Sequence, residues 1–229
     1  MHPGIGRSLR TSRHVGSLAS VKDAVYFVSP PSGPGRAVLL LHSWWGLDSH
    51  TRRLADRISD EGFTVLVPDL IAGETFDTAE AAEAHLADVD PNRIASLTAM
   101  SVGLAREKGV DPSAPISVIG LSMGASLALW ASIRMPEAID RVVAFYGSQS
   151  IDFTAARASY LLHFAQDDEI IDSDEAAFME ATIELEGRPV ESFTYPGAAH
   201  WFAEPGRPNY DERQATAAWA RTVEFLRRD

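Results

Sequence analysis

Cysteine is absent from this 229-residue chain. That excludes disulfides, thiolate metal sites and a cysteine nucleophile. Long apolar runs are absent too. The most apolar windows, Ala37 to Leu41 and Val118 to Ala131, are too short or are broken by Gly and Ser, against the roughly 18 residues that span a membrane. Positive charge is scarce: 20 Lys and Arg stand against 32 Asp and Glu, a formal net charge of −12. This disfavours nucleic acid and anionic membrane surfaces as partners. No pair of histidines with a carboxylate has metal-ligand spacing, so neither a metal nor a cofactor is implied. The missing cysteines and the missing span fit a cytoplasmic protein. None of these features speaks to oligomeric state.

Residues 1–20 lack acids. They carry Arg7, Arg10 and Arg13 among several Ser and Gly residues, without the apolar core of a secretory signal. An Arg- and Ser-rich start can resemble a transit peptide; the preferred reading is a flexible or loosely docked tail. Residues 21–229 are expected to form a single domain. The length suffices for one large core, and no repeat or linker interrupts it. A hydrophobic content of 45% with 23% charged residues is ordinary for a globular chain.

Strand and helix signals alternate from about residue 23 onward. Ala24 to Val28 reads as a strand, and Ala37 to Leu41 as one covered on both faces. Asp48 or Ser49 can cap a helix that buries Leu54, Ala55 and Ile58 and ends at Gly62. Phe63 to Val67 is the next strand. Asp90-Pro91 opens a helix with proline at its tolerated first position and Ile94, Leu97, Leu104 and Ala105 on one face. Later strands are expected at Ile116 to Ile119, Arg141 to Tyr146, Tyr160 to Ala165 and Val190 to Tyr195. Phe178, Ala181, Thr182 and Leu185 mark one helix stripe. Ala215, Ala218, Trp219, Thr222, Phe225 and Leu226 mark the last. Residues 70–90, rich in Ala and acids, read as a short helix or a small cap. The alternation implies an α/β fold: a mainly parallel sheet with helices on both faces.

Gly120-Leu121-Ser122-Met123-Gly124 lies where the strand ending at Ile119 meets the next helix. A serine between two glycines at such a turn is the layout of a nucleophile elbow. A serine hydroxyl needs a base, and the base an orienting acid, in the chain order Ser, acid, His. Downstream strands offer both. Tyr160 to Ala165 leads through Gln166 into Asp167, Asp168 and Glu169; Asp168 is the chosen acid, with Asp167 second. His200 comes after Val190 to Tyr195 through Pro196-Gly197-Ala198-Ala199 and is the chosen base. The other histidines fit less well: His50 and His85 fall in helices, and His163 inside a strand reads as a core residue. His42 ends a strand upstream of the serine, where it can shape an oxyanion region. The two oxyanion donors are expected to be the amides of Met123 and Trp44. Trp45, Trp201 and Phe202 are expected to flank an apolar acyl or alcohol pocket.

These residues resemble the dienelactone hydrolase family of the α/β-hydrolase superfamily. The resemblance runs from about residue 23 to the end. It rests on the elbow at Ser122, on His163-Phe164-Ala165-Gln166-Asp167-Asp168 and on Tyr195-Pro196-Gly197-Ala198-Ala199-His200-Trp201-Phe202. It implies an α/β-hydrolase fold and a triad of Ser122, Asp168 and His200. It implies hydrolysis of a carboxylic ester or lactone through an acyl-enzyme, with a small-molecule ester or lactone as substrate. Three positions depart from the family pattern. Ser122 stands where the nucleophile is usually cysteine, and Ser43 where a glutamate participates in activating it. Glu204 stands where an arginine helps bind a substrate carboxylate, and residues 70–90 supply no second arginine. A hydroxyl nucleophile has no need of thiolate switching, so the first two changes go together. Glu204 is expected to repel a carboxylate substrate. The alternatives are a carboxylesterase or acyl thioesterase of another α/β-hydrolase branch, and a non-catalytic binding module on the same fold.

Overall fold

Five consecutive apolar residues, Ala37–Leu41, form strand β2, and all five are buried. The computed structural model describes residues 24–228, and the tail expected over residues 1–20 lies outside the described residues. In chain order the elements are β1 Val25–Val28, β2 Ala37–Leu41, α1 Ser49–Asp60, β3 Thr64–Pro68, α2 Ala79–Leu86, α3 Pro91–Lys108, β4 Ile116–Leu121, α4 Met123–Arg134, β5 Ile139–Phe145, β6 Ser159–Asp167, α5 Ser173–Leu185, β7 Val190–Ala199 and α6 Glu212–Arg227. The strands form one seven-stranded sheet in the order β1-β3-β2-β4-β5-β6-β7. β1 runs antiparallel to β3, and all other neighbours are parallel. This is the expected mainly parallel architecture.

Side chains alternate across the sheet, so each central strand feeds two cores. Val38 and Leu40 of β2, Ile119 and Leu121 of β4 and Val143 of β5 pack with Leu54 and Ile58 of α1 and Trp219 and Phe225 of α6. Leu39, Leu41, Val118, Val142 and Ala144 face the other way, onto Ile94 and Val102 of α3, Ala128 and Leu129 of α4 and Met179 and Ile183 of α5. Sequence chemistry accounts directly for the starts of two helices. Asp48 Oδ1 accepts the amides of His50 and Thr51 at 2.9 and 2.8 Å, capping α1. Asp90 caps α3 through the Asn92 amide at 2.9 Å, with Pro91 in the first turn.

Two elements differ from the sequence reading. The buried face of α5 is Ala176, Met179 and Ile183, while Phe178 is 65% and Leu185 84% exposed. Both faces of this helix carry apolar residues at helical spacing, so periodicity selects neither. Strand β7 also continues to Ala199, through the segment expected to be a loop.

Helix α6 matters beyond its own packing. Trp219 stacks on Phe145 with ring centroids 4.5 Å apart, and its indole N–H donates to the Ala203 carbonyl at 3.1 Å. It thereby ties α6 to the loop after β7. Trp219→Ala is expected to cost roughly 3–5 kcal/mol in urea unfolding, and a loss under about 1 kcal/mol would contradict this packing.

Candidate active site

The turn from β4 to α4 is dictated by space. A Cβ on Gly120 would lie 2.1 Å from the Gly124 carbonyl oxygen, and one on Gly124 would lie 2.1 Å from the Leu41 carbonyl oxygen. Between them Ser122 has φ 52° and ψ −113°, a conformation that residues bearing a Cβ rarely adopt. Its amide donates to the Phe145 carbonyl at 3.0 Å, holding the turn against the end of β5. The closeness of Gly124 to Leu41 also sets the loop after β2 beside the first turn of α4. Met123, the first residue of α4, has an amide with no intrahelical acceptor. The Trp44 amide has no acceptor among the described residues.

Strands β6 and β7 bring the acid and the histidine together. Ala165 pairs with Tyr195 and Asp167 with Ala199, so β7 takes four steps where β6 takes two. The extra residues bulge at Pro196-Gly197, where Gly197 has φ 71° and its amide donates to Gln166 Oε1 at 2.9 Å. Asp168 and His200, the next residue on each strand, therefore leave the sheet side by side. His200 Nδ1 lies 2.9 Å from both carboxylate oxygens of Asp168, and His200 Nε2 lies 2.8 Å from Ser122 Oγ. A carboxylate only accepts, so Nδ1 carries the proton and Nε2 accepts from the serine hydroxyl. Burial acts to raise the Asp168 carboxyl, but the hydrogen bond and charge of His200, with the amides of Ile171 and Ile170, outweigh it and hold the pKa below the ordinary aspartate value. Asn209 donates to the His200 carbonyl at 3.1 Å. No sequence motif marks that residue, which steadies the loop from its far side.

His42 lies at the start of the loop after β2. Its Nε2 accepts the Leu70 amide at 3.1 Å, so Nδ1 carries the proton and donates to the Ser43 carbonyl at 2.6 Å. Burial lowers its pKa and keeps it neutral. His163 is a core residue, as its place within a strand suggests. Held by Tyr195 and Thr222 at 2.8 and 3.0 Å, it is lowered by burial to about 3.

A cleft of about 590 Å³ opens at His200, lined by Trp44, Trp201, Ala79, Glu83, Asp167, Glu169, Ile170, Ala199 and Asn209. Helix α2 thus supplies both a short helix and one wall of the site. Trp44 and Trp201 face each other at 5.1 Å, and Trp201 meets the His200 ring edge-on at 4.7 Å. Their indole N–H groups have no acceptor among the described residues. The other expected pocket residues lie elsewhere. Trp45 is 1% exposed beneath this pair, with the Arg207 guanidinium 4.8 Å over its ring. Phe202 is fully buried against Tyr195 and Tyr146. The short spacing to Trp44 and His200 in sequence does not distinguish a wall from the layer behind it. Glu204 does not line the cleft either. It is buried, accepting from Ser43 Oγ at 2.8 Å and from Tyr146 OH at 2.9 Å. The negative charges facing the cleft are those of Glu83, Asp167 and Glu169, and no Lys or Arg lines it.

No group of His, Asp and Glu among the described residues is placed to hold a metal ion. No helix among them is long and apolar enough to cross a membrane.

The sheet order, with a serine at the sharp turn between a central strand and its helix, defines an α/β-hydrolase. The fold matches that of a dienelactone hydrolase-like promiscuous phosphotriesterase from metagenomic libraries, with a TM-score of 0.76 at 20% identity over 88% of this chain and 90% of that one. The sequence profile of the dienelactone hydrolase family matches residues 24–229, and the chain belongs to that family. It is 28% identical to protein usf of Aquifex pyrophilus, over 88% of this chain and 91% of that protein. It is 26% identical to the carboxymethylenebutenolidase of Rhodococcus opacus, over 87% and 84% respectively.

Glu204 yields a stability test. Burial raises its carboxyl from 4.5 to about 7, against the hydrogen bonds of Ser43 and Tyr146 and the charge of Arg207. The folded protein then holds a proton that the unfolded chain has lost across that window, so this contribution to stability falls as pH rises through it. Glu204→Gln does not titrate. The melting temperature of the variant relative to wild type is expected to rise between about pH 5 and pH 8, by the equivalent of a few kcal/mol. A difference that stays flat with pH would contradict the assignment.

Proposed function

We propose that this protein is a serine hydrolase that cleaves an uncharged carboxylic ester or lactone through an acyl-enzyme. The observation that carries the reading is the chain of hydrogen bonds from Ser122 Oγ to His200 Nε2 and from His200 Nδ1 to Asp168, at 2.8 and 2.9 Å. Family membership supports ester or lactone hydrolysis independently.

Ser122 Oγ attacks the carbonyl carbon as its proton passes to His200 Nε2. Asp168, kept ionised, holds the ring in the productive tautomer and stabilises the imidazolium. The oxyanion receives the amides of Met123 and Trp44, each such donor being worth ~10²–10³ in rate. His200 returns the proton to the leaving alkoxide, and the alcohol departs. Water then attacks the acyl-enzyme as His200 takes its proton, and Ser122 recovers its hydrogen when the acid is released. Trp44 and Trp201 provide an apolar wall.

The charge at the cleft bears on the substrate. Three carboxylates and no cation disfavour an anionic acyl group, so the family's arginine contact to a substrate carboxylate has no counterpart here. A cytoplasmic setting, suggested by the absence of cysteine, accompanies this reading.

A serine-directed fluorophosphonate with peptide mapping tests the nucleophile. Labelling of Ser122 is expected, and folded protein that resists labelling would favour a binding module. Ser122→Ala is expected to lower kcat by at least ~10³-fold. Asp168→Asn should cost far more turnover than Asp167→Asn, and the reverse would move the acid to Asp167. With matched esters of one alcohol, a hemisuccinate should show kcat/KM at least ~10-fold below a butyrate. The gap should narrow with added salt and in Glu83→Gln and Glu169→Gln. Equal rates would remove the charge argument.

A further inference from the structure

The hydrolytic reading leaves one buried carboxyl group without a task. Glu204 is 4% exposed and lies four residues beyond His200. Both of its oxygens are engaged, by Ser43 and by Tyr146. Burying an ionisable group is costly, and a neutral side chain would fill this space without the cost.

Each partner belongs to a different part of the site. Ser43 precedes Trp44, and its carbonyl is held from the other side by His42 and by the Gly46 amide at 3.2 Å. Tyr146 directly follows β5 at φ 38°, with its amide on the His163 carbonyl at 2.7 Å and its ring 5.0 Å from that of His200. The next residue, Gly147, touches the elbow: a Cβ there would lie 2.5 Å from Ala125 Cβ and 3.1 Å from the Ser122 carbonyl oxygen. Glu204 itself closes the turn after His200, its amide donating to the Trp201 carbonyl at 3.0 Å. One carboxyl group therefore joins the loops after β2, β5 and β7, which surround Ser122.

We propose that Glu204 is a positioning residue for the hydrolytic reaction: through Ser43 it sets the loop carrying the Trp44 amide, and through Tyr146 the surface on which the His200 ring rests. This rests on the hydrolytic roles of Ser122, His200 and Asp168. Glu204 does not line the cleft, so its loss acts on the transition state and leaves substrate binding nearly untouched.

With Glu204 ionised, both hydroxyls donate to it. Protonation turns one hydroxyl round to accept and leaves both ties neutral, where charge-assisted bonds are roughly twice as strong. The groups facing Glu204 are the hydroxyls of Ser43 and Tyr146, Arg207 in its own loop and Asp48 at the start of α1. His50 of α1 shares a small cavity with it. With burial raising the carboxyl to about 7, the ties weaken as pH falls through neutrality.

The test compares wild type, Glu204→Ala and Glu204→Gln on a neutral ester, with fluorophosphonate labelling of Ser122 as the check on folding. Glu204→Ala is expected to lose ~10–100-fold in kcat with KM within about threefold. Glu204→Gln keeps one acceptor and gains a donor that either hydroxyl oxygen can accept. Like the protonated carboxyl it offers one acceptor and one donor, so its kcat should match the low-pH limit of this ionisation in wild type, within about fivefold of the high-pH limit. Its kcat profile should also lack one ionisation near neutrality that wild type shows. Equal kcat in wild type and Glu204→Ala would overturn the proposal. So would a Glu204→Gln profile identical to that of wild type, even if the alanine variant does not fold. Wild type that neither turns over esters nor labels at Ser122 would overturn the hydrolase reading instead.

Discussion

The site depends on one close approach of backbone to backbone. Gly120 touches Gly124, and Gly124 touches the end of β2, with no room for a Cβ at either contact. That contact forces Ser122 to φ 52°, a conformation that costs of the order of 1–3 kcal/mol and persists only where the surroundings over-determine it. The surroundings do so. β4 is buried along its whole length between β2 and β5, and α4 packs Ala128 and Leu129 onto the sheet. The strain lifts the hydroxyl clear of the strand and sets the first turn of α4 beside the loop that carries Trp44.

Two carboxyl groups show how environment moves one chemistry in opposite directions. Asp168 shares its burial with an imidazole and two amides, and stays ionised at ordinary pH. Glu204 is bonded only to hydroxyls, and its nearest cation, Arg207, is itself engaged by Asp48 at 2.7 Å. Burial then wins, and its carboxyl rises to about 7. The sequence departures at Ser43 and Glu204 are thus one structural unit: the two side chains are bonded to each other across 161 positions of chain.

Much of the site is legible in the residues alone. Strands buried on both faces announce themselves as continuous apolar runs, and the helix starts at Asp48 and Asp90 carry their own caps. The elbow is legible because only glycine fits its flanks. Asp168 and His200 are legible because each follows a strand within a few residues, and parallel strands all end at one edge of the sheet. The hidden features depend on packing that no local pattern encodes. The bulge at Pro196-Gly197 sets the register of His200 against Asp168, yet reads as a loop. Trp44 and Trp201 reach the cleft while Trp45 and Phe202, one residue along, turn into the core. The face of α5 is ambiguous because Phe178 and Met179 are both apolar. Asn209 and the partners of Glu204 are contacts between distant segments, and a single sequence carries no signal for them.

The most direct measurement is the mass of the Ser122 peptide after an activated neutral ester is mixed with the protein and quenched in acid during turnover. The proposed mechanism predicts an acyl group on Ser122, absent from Ser122→Ala. Sustained hydrolysis with Ser122 unmodified, or with the acyl group on another residue, would contradict it.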